Sequence, residues 1–574
     1  MARAASRLAP VPALKTGRME AGRATIIWSA SPSAPLNTES SGGTGAVVWG
    51  DALEDGTGGR ATAAGVARAW SNEQTPPQVF DGFYAATVVA GDDVIIGADI
   101  LGLFPVYYAV VDDVLLAGST PDVFRLHPLF REAISAEGLF GLLLAGGPLA
   151  GRCLTEGVVR LGAGALLRWH PRGGARETSH YVFPEVERHG ALSIDEQVDL
   201  LAATMDVTVR RHVRPHGKVS LLLSGGRDSR LLGGYVSRHG TVSEALTLGK
   251  PTDYEAMCAA GVARTLHLSQ RMGEIQYDDF PAYADRVVRW EHLSGGMSSM
   301  HTWGTWEALG STGGALLNGY LFELRGYALL PVDREEMFAW SYKRATSSEV
   351  LRSLVRTDSQ LELVEDVAGV MRNRFDSICG DPAERSWRWR TATYKRFHAG
   401  AVPWRLSFGA WPVMPILDRM LMETMLALPR DTMASRQLAD GVMRREFPAL
   451  ARLPLDRNAH DIRPLVPSVW WKLRRALGRH VPAVAPAILR QAGDAERRYY
   501  VRIYDFDNAG WRAVRSAAEQ GRDQLVEWFD PAAIASIVPP PDQSAGHSDS
   551  VLQGFLPKMI VGLMRRCVLR KGAA

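Results

Sequence analysis

A change in hydrophobic pattern near residue 190 limits the folds open to this chain more than any other feature. Before it, short apolar segments alternate with turn residues, a pattern that predicts β-strands. The predicted strands are 46–49, 83–89, 93–98, 106–111 and 114–117. After it, long amphipathic segments alternate with brief apolar strands, which is typical of α/β layering. We therefore predict a two-domain α/β protein, with stacked antiparallel sheets in residues 1–190 and an α/β domain with a C-terminal helical extension in residues 191–574.

The composition is that of a folded protein. Hydrophobic residues make up 46% of the 574 residues and charged residues 22%. No run of about 18 apolar residues occurs, and the basic, alanine-rich N-terminus lacks the apolar core of an export signal. The four cysteines are scattered singly and show no metal-ligand spacing. We expect reduced cysteines, a cytoplasmic location and no membrane partner.

Charge is unevenly distributed along the chain. The net charge of +3 is close to neutral for this length and gives no reason to expect a nucleic-acid partner. Basic residues outnumber acidic ones between Lys472 and Arg502. A solvated helical face explains this segment better than a docking surface for an acidic partner, and both interpretations stay open.

The segment 218–235, KVSLLLSGGRDSRLLGGY, carries the clearest chemical signal. Its first half predicts a buried strand and its second half a helix, so SGGRDS occupies the turn between them. Gly225 and Gly226 let backbone N–H groups approach a ligand, and the helix start adds a partial positive charge. The two serine hydroxyls add donors. Because Asp228 would repel a bare phosphate, we expect it to bind Mg²⁺ that accompanies the anion.

This string resembles the pyrophosphate-binding loop of the ATP pyrophosphatase group, whose members cleave ATP between its α and β phosphates and leave AMP on the substrate. The resemblance implies an ATP-binding loop made of Leu223, Ser224, Gly225, Gly226, Asp228 and Ser229. The next apolar strand, 245–249, corresponds to the one whose backbone contacts adenine, which implies a contact at Leu248. We also predict that residues 252–255 form a capping box that opens the following helix.

A second matching segment lies at 315–326, ALLNGYLFELRG, which resembles the asparagine synthetase sequence LSGEGxDExxxG. The alignment implies that Gly319 lies in the ATP site, that Tyr320 replaces the family's glutamate and that Glu323 replaces its second metal-binding aspartate. Asp228 and Glu323 are therefore the expected Mg²⁺ ligands. A tyrosine at this place resembles β-lactam synthetase, in which it helps to take the proton from an attacking amine. A catalytic Tyr320 and an ordinary buried tyrosine both stay open.

Two later segments bear on family membership and on the transition state. Residues 411–429 resemble the family's VPFLDxxLVExALxLP, and Asp418 within them is expected to cap a helix. The family also carries a lysine in a following loop that stabilises the transition state, but the matching region 453–466 contains none. Three residues of that region could supply a cation instead, although a structural role fits each of them: Arg457, His460 and Arg463. Of these, His460 is the candidate catalytic residue.

The first domain resembles the glutaminase domain of class II amidotransferases, which has an Ntn-hydrolase-like β sandwich. The resemblance rests on GADILGLFPVYY at 97–108 and LTEGVVRLGAG at 154–164. That glutaminase uses a cysteine at the mature N-terminus, whereas this sequence begins MARAAS and has its first cysteine at Cys153. The glutamine-binding strings RGPD and NGEIYN are also missing. We expect a degenerate glutaminase domain without activity, which argues against glutamine-dependent asparagine synthesis.

Three branches of the asparagine synthetase family share this plan: asparagine synthetase, the β-lactam and carbapenam synthetases, and the cyclases that close the macrolactam ring of lasso peptides. SGGRDSR, with Arg227 and Arg230, and RNAHDIRPL at 457–465 are most similar to the lasso cyclases. This resemblance implies ATP- and Mg²⁺-dependent adenylation of an Asp or Glu side chain in a core peptide, followed by attack of the peptide's N-terminal amine. It also implies a precursor peptide as substrate, with a leader peptidase and a leader-recognition protein as partners. A small-molecule amide or β-lactam synthetase is the alternative, and a non-catalytic scaffold conflicts with the two retained acidic residues, Asp228 and Glu323.

Overall fold

The structure, a computed structural model, is a mixed α/β protein with antiparallel sheets in its first part and a parallel sheet in its second. It describes residues 8–72, 76–184, 189–309, 314–322, 330–341, 345–378, 380–456, 463–478, 497–545 and 554–571. Within these ranges, no helix combines the length and the apolar character that crossing a membrane requires.

The first part of the chain contributes the antiparallel strands. They are β1 (Lys15–Ala21), β2 (Ala24–Ala30), β3 (Leu36–Ser41), β4 (Thr44–Gly50), β5 (Tyr84–Ala90), β6 (Asp93–Ala98), β7 (Tyr107–Val111), β8 (Val114–Gly118), β9 (Val159–Arg160), β10 (Ala165–His170) and β11 (Gly174–Ser179). They form a two-stranded sheet β1-β2, a six-stranded sheet β11-β10-β6-β5-β4-β3 and a three-stranded sheet β8-β7-β9. The five strands predicted from the sequence are confirmed as β4 to β8.

Both faces of the six-stranded sheet are covered. On one face, Val88 packs in a cluster with Trp70 of helix α1 (Ala63–Ser71). On the other face, Val89 belongs to a cluster against which Ile26 of β2 and Leu115 of β8 pack. Neighbouring residues of β5 therefore serve opposite layers, as the two-residue period of a strand requires. The predicted stacking of antiparallel sheets is present, and the Ntn-hydrolase-like arrangement stays a prediction.

The second part is built on a five-stranded sheet in which every pair is parallel. Its strands are β12 (Val219–Leu222), β13 (Val242–Leu248), β14 (Gln270–Gly273), β15 (Ala315–Leu317) and β16 (Trp411–Val413). Their spatial order is β14-β13-β12-β15-β16, so the chain moves outward from β12 on one side and returns to build the other. Open α/β sheets bind ligands at the carboxyl ends of their strands where the order reverses. The loop after β12 lies at this point.

Helices pack around both parts. The first part contains α1 and α2 (Ala136–Ala145). The second part contains α3 (Ile194–Val213), α4 (Arg227–Arg238), α5 (Tyr254–Thr265), α6 (Phe280–Trp290), α7 (Thr305–Ala308), α8 (Arg334–Ser341), α9 (Ser348–Leu354), α10 (Asp358–Asp376), α11 (Pro382–Arg390), α12 (Val402–Leu406), α13 (Arg419–Ala427), α14 (Arg430–Ala434), α15 (Gln437–Glu446), α16 (Pro448–Ala451), α17 (Val469–Gly478), α18 (Tyr499–Tyr504), α19 (Ala509–Ala518), α20 (Pro531–Ile537) and α21 (Phe555–Lys571).

Buried ion pairs join the two parts. Asp81, in the first part, binds Arg211 of α3 at 2.6 Å and Arg419 of α13 at 3.0 Å. Asp418 accepts a hydrogen bond from the Leu421 N–H at 3.3 Å as the N-cap of α13, and it also pairs with Arg211. The prediction that Asp418 caps a helix is confirmed.

Candidate functional site

The SGGRDS loop follows the central strand β12 at the carboxyl edge of the parallel sheet. Helix α4 begins at Arg227 with Gly226 as its N-cap, and among the described residues no side chain caps this end. The N–H groups in the first turn of a helix have no partner inside the helix, so they are the groups that bind an anion at such a place. Ser224 is exposed, whereas Gly225 is buried. The loop therefore presents an accessible, electropositive backbone.

The two serine hydroxyls hold the shape of this turn. Ser229 Oγ accepts a hydrogen bond from the Ser224 N–H at 3.1 Å and donates to the Ser224 carbonyl at 3.2 Å. Ser224 Oγ accepts from the Gly226 N–H at 3.2 Å. The two hydroxyl oxygens also lie 3.0 Å apart, so both hydroxyls are engaged within the turn, and Ser224 is the more exposed of the two. The expectation that both hydroxyls serve a ligand stays a prediction.

The two arginines of the loop bind protein groups. Arg227 forms an ion pair with Asp440 of α15. Arg230 is 0% exposed and donates to four main-chain carbonyl groups, those of Gly225, Leu450, Leu453 and Pro454. Arg230 therefore fastens the segment 450–454 to the loop.

Replacing Arg230 with methionine is expected to lower the free energy of unfolding by about 2–4 kcal/mol, because several buried carbonyl groups lose their donor. Urea unfolding followed by circular dichroism measures the change. Arg238→Met, at the exposed end of the same helix, is the matched control: Arg238 is 40% exposed, and its ion pair with Glu446 is worth less than about 1 kcal/mol. Equal destabilisation by both variants would contradict the fastening role.

The segment after β15 lies against the SGGRDS loop. A Cβ on Gly319 would lie 3.3 Å from Asp228 Cβ and 3.3 Å from the Ser229 backbone nitrogen, so the absence of a side chain lets the two loops touch. Asn318 accepts a hydrogen bond from the Tyr320 N–H at 3.3 Å and turns the chain at the end of β15. The structure thus brings Asp228, Gly319 and Tyr320 together at the ends of neighbouring strands.

The surroundings of Tyr320 keep its hydroxyl protonated. Burial raises the pKa of Tyr320 well above its usual value, and the Tyr504 phenol raises it further. Arg405 opposes the shift, but its guanidinium is held by the Glu291 carboxylate at 2.8 and 2.7 Å. A group that would make Tyr320 a proton acceptor, as the amine chemistry requires, is not found in the described part of the chain. The catalytic role of Tyr320 stays a prediction, and a hydrogen-bonding role suits a protonated hydroxyl better.

An apolar surface lies beside the SGGRDS loop. Leu222 and Leu248 end the neighbouring strands β12 and β13 and, with Tyr320, pack on one buried cluster while remaining partly exposed. Gly249 follows Leu248 with a φ of 115°, which glycine adopts without strain. A partly exposed apolar surface next to polar loop groups suits a purine ring. The predicted adenine contact at Leu248 is compatible with this position.

Some predicted site residues lie outside the described residues, namely Glu323, His460 and Arg457. Arg463 is described and is exposed. In the described ranges, no group of three or more His, Cys, Asp or Glu side chains could hold a metal ion. Mg²⁺ often takes only one or two carboxylates, together with water and substrate phosphates. Asp228 alone therefore fits a Mg²⁺ that arrives with ATP.

Helix α18, from the C-terminal part of the chain, covers this site. Arg502 donates to the Asp253 carboxylate at 2.6 Å. The Tyr499 N–H donates to Glu255 Oε2 at 3.3 Å. Asp253 and Glu255 belong to the start of α5, which follows β13, so α18 is held at the same edge of the sheet as the loop. Sequence reasoning missed this helix. The signal was the string RRYYVRIY at 497–504, in which aromatic residues accompany the basic ones.

Two predictions about this region are wrong. Residues 252–255 do not form a capping box: Asp253 is the N-cap of α5 without a side-chain cap bond, because its carboxylate binds Arg502 and the Lys250 N–H. Arg498 is not on a solvated face either, since it is 6% exposed and lies over the Tyr254 ring at 4.7 Å. At the other end of the basic segment, α17 is mostly exposed. This end therefore agrees with the prediction of a solvated helical face.

A buried carboxyl pair stands behind the loop. The Asp456 N–H donates to the Gly225 carbonyl at 3.0 Å, and the Tyr254 hydroxyl donates to Asp456 Oδ1 at 3.3 Å. Burial, together with the Asp456 carboxylate, raises the pKa of Glu255 to about 7. Glu255 is therefore partly protonated at neutral pH, which reduces the negative charge beside the SGGRDS loop.

Cys153 is the only cysteine in residues 1–190. It is 2% exposed, and burial raises the pKa of its thiol to about 12, so it supplies no thiolate at neutral pH. We expect the purified protein to hydrolyse glutamine no faster than buffer does, with or without ATP, as measured by ammonia release. Cys153→Ala is the control variant. Glutamine hydrolysis that exceeds the buffer rate and persists in Cys153→Ala would sink this prediction.

Comparison with known proteins does not identify the chain. No protein-family model matches it. No curated protein matches it at a significant level. The family resemblance therefore stays a prediction that depends on the motifs and on the geometry described above.

Proposed function

We propose that this chain activates a carboxylate with ATP and joins it to an amine, as an AMP-forming amide ligase of the asparagine synthetase type. The observation that carries the proposal is the contact between the SGGRDS loop and the segment Gly319–Tyr320 at the reversal point of the parallel sheet. Ligands of open α/β sheets bind at this point. A turn suited to anions, a carboxylate and a tyrosine thus lie at the carboxyl edge of one sheet.

The groups of the loop suit the first step. The substrate carboxylate attacks the α phosphorus of ATP, the bond to the bridging oxygen of the β phosphate breaks, and pyrophosphate leaves. The start of α4 and the Ser224 hydroxyl bind the departing phosphate oxygens. Asp228, with Glu323 as the proposed second ligand, would hold Mg²⁺, which neutralises charge on the pyrophosphate.

In the second step, an amine attacks the acyl-adenylate carbonyl carbon, an amide bond forms, and AMP leaves. Tyr320 is the proposed hydrogen-bonding group for this step, because it adjoins the loop and keeps its proton at neutral pH. Its hydroxyl can accept a proton from the amine only while passing its own proton on. Positioning supplies most of the rate if both reacting groups belong to one bound molecule.

We propose a lasso precursor peptide as the substrate. An Asp or Glu side chain of the core peptide would supply the carboxylate, and its N-terminus would supply the amine, giving a macrolactam ring, AMP and pyrophosphate. Support comes from SGGRDSR, since Arg230 binds the Pro454 carbonyl and so links this string to the segment just before RNAHDIRPL. A leader peptidase and a leader-recognition protein are the proposed partners, acting in the cytoplasm. A small-molecule amide or β-lactam synthetase with the same ATP site is the second candidate.

The test uses a short precursor peptide encoded beside the gene, synthesised without its leader. ATP–pyrophosphate exchange that depends on this peptide, together with a product lighter by one water, would support the cyclase. Exchange that depends on small amino acids but not on the peptide would favour the second candidate. No exchange with any carboxylate substrate would overturn the proposal.

A further inference from the structure

Tyr499 of α18 packs against the chain at the end of β13. Its Cδ2 atom is 3.3 Å from the place that a Cβ on Gly249 would occupy, so its ring packs on the residue that follows β13. Burial raises the pKa of the Tyr499 hydroxyl, and of the side chains around it the Tyr320 phenol adds most to that shift. Tyr320 follows β15, and β12 lies between β13 and β15. The Tyr499 and Tyr320 phenols therefore lie at the carboxyl edge of the sheet, where β12 ends in the SGGRDS loop.

The Tyr499 hydroxyl has no hydrogen-bond partner in the described part of the chain. The residue is only 9% exposed. Two other buried tyrosines nearby in the fold are paired, because Tyr254 donates to Asp456 and Tyr235 donates to the Ala202 carbonyl. Native proteins rarely bury a hydroxyl unpaired, since the lost hydration is not recovered. The hydroxyls of Tyr84 and Tyr181 in the first part of the chain are also unpaired, so what points to a ligand atom is the place of Tyr499 beside the end of β13.

The position of this ring is set by several contacts of α18. Besides the bonds to Asp253 and Glu255, the Arg502 carbonyl accepts from the Tyr277 hydroxyl at 3.3 Å. The rings of Tyr500 and Tyr504 stack at 6.1 Å, and Tyr504 meets His301 edge-on at 4.9 Å. The helix thus docks on the body of the protein on more than one side.

We propose that Tyr499 is a nucleotide-binding residue whose hydroxyl donates a hydrogen bond to the adenosine portion of bound ATP. The inference rests on the proposed function, because it takes the SGGRDS loop as the ATP site. In the proposed binding mode, adenine contacts β13 and the α phosphate lies above β12. The rest of adenosine lies between these two places. Tyr499 packs at the β13 end of this interval. The ribose oxygens are the adenosine acceptors available there.

The variant Tyr499→Phe keeps the ring and removes the hydroxyl. We expect its Kd for ATP with Mg²⁺, measured by calorimetry, to rise about 3- to 10-fold, the effect of one hydrogen bond. The Tm of the ligand-free variant should stay unchanged or rise, because no hydrogen bond within the described protein is lost. Tyr235→Phe is the matched control and should behave in the opposite way, with a lower Tm and an unchanged Kd, since its hydroxyl bonds to the Ala202 carbonyl at 3.1 Å.

A second measurement does not depend on affinity. Photolabelling with 8-azido-ATP, followed by trypsin digestion, should place the label on the peptide 499–502, which trypsin releases by cleaving after Arg498 and Arg502. An unchanged Kd of Tyr499→Phe for ATP, together with a label on another peptide, would overturn the inference. The proposed function would still stand in that case, provided that the unaltered protein binds ATP. Tighter ATP binding by Tyr499→Ala would also overturn it, since the ring would then obstruct the site. If the unaltered protein binds no ATP, the proposed function fails and this inference with it.

Discussion

An Asp228→Asn variant is expected to lose about 10²- to 10⁴-fold in ATP–pyrophosphate exchange, since a metal ligand at the departing pyrophosphate contributes several kcal/mol to the transition state. Its fold should remain intact. Asp228 is partly exposed at the start of α4 and belongs to an accessible loop. Asparagine keeps the size of the side chain and removes the charge. The exchange rate at saturating ATP and Mg²⁺, measured beside a thermal melt, checks both parts of the prediction.

The matched control is Asp431→Asn. Asp431 is an exposed acidic residue in the first turn of α14, so the same chemical change occurs at another helix start. Its exchange rate should equal that of the unaltered protein. An Asp228→Asn variant that still releases pyrophosphate at a near-normal rate would contradict the assignment of Asp228 to the metal. Equal loss in both variants would point instead to a general effect of surface charge.

The parts of the fold that could be predicted from the sequence are those that depend on patterns among neighbouring residues. Strand β6 was predicted at 93–98 and is found at Asp93–Ala98, because a buried strand leaves a short apolar run between turn residues in the sequence. The SGGRDS turn was predicted for the same reason, since an apolar run, two glycines and a helical pattern follow one another within a few residues. Its meeting with Gly319 needed the family alignment, because the two loops are far apart in sequence.

Contacts between segments that are distant in sequence could not be predicted from such patterns. Arg227 binds Asp440, and Arg230 binds the main-chain carbonyls of Leu450, Leu453 and Pro454, all of which lie more than 200 positions later in the sequence. The capping box failed because Asp253 and not Thr252 is the N-cap of α5, and Glu255 Oε2 accepts from the Tyr499 N–H of α18, a partner about which a local motif contains no information. Helix α18 itself is short, and its place is fixed by tertiary contacts rather than by its own helical propensity.

The chemistry of Tyr320 also depends on tertiary context. From sequence alone, its phenol could be assigned an ordinary pKa near 10 and a missing partner that lowers it. The structure instead buries the hydroxyl beside a second phenol, Tyr504, while Arg405 is committed to Glu291. A hydroxyl that keeps its proton can orient an amine and relay a proton, but it cannot store one. No inflection of the rate near neutral pH should therefore be caused by Tyr320.

Tyr320→Phe is expected to leave adenylation intact and to slow amide formation by about 10²- to 10⁴-fold, the usual contribution of a positioned proton-transfer group. The adenylated peptide would then accumulate or hydrolyse to the linear form. If Tyr320 only fills space, losing its hydroxyl should cost about 1 kcal/mol of stability and barely change ring closure. Mass spectrometry of peptide, adenylate and cyclised product at matched times, with thermal melts, separates the two cases. Tyr235→Phe serves again as the control, because it removes a buried hydroxyl that bonds to the Ala202 carbonyl of α3 and not to the loop. Unchanged cyclisation with a lowered Tm would make Tyr320 a packing residue, and His460 would then be the next candidate for the group that handles the amine proton.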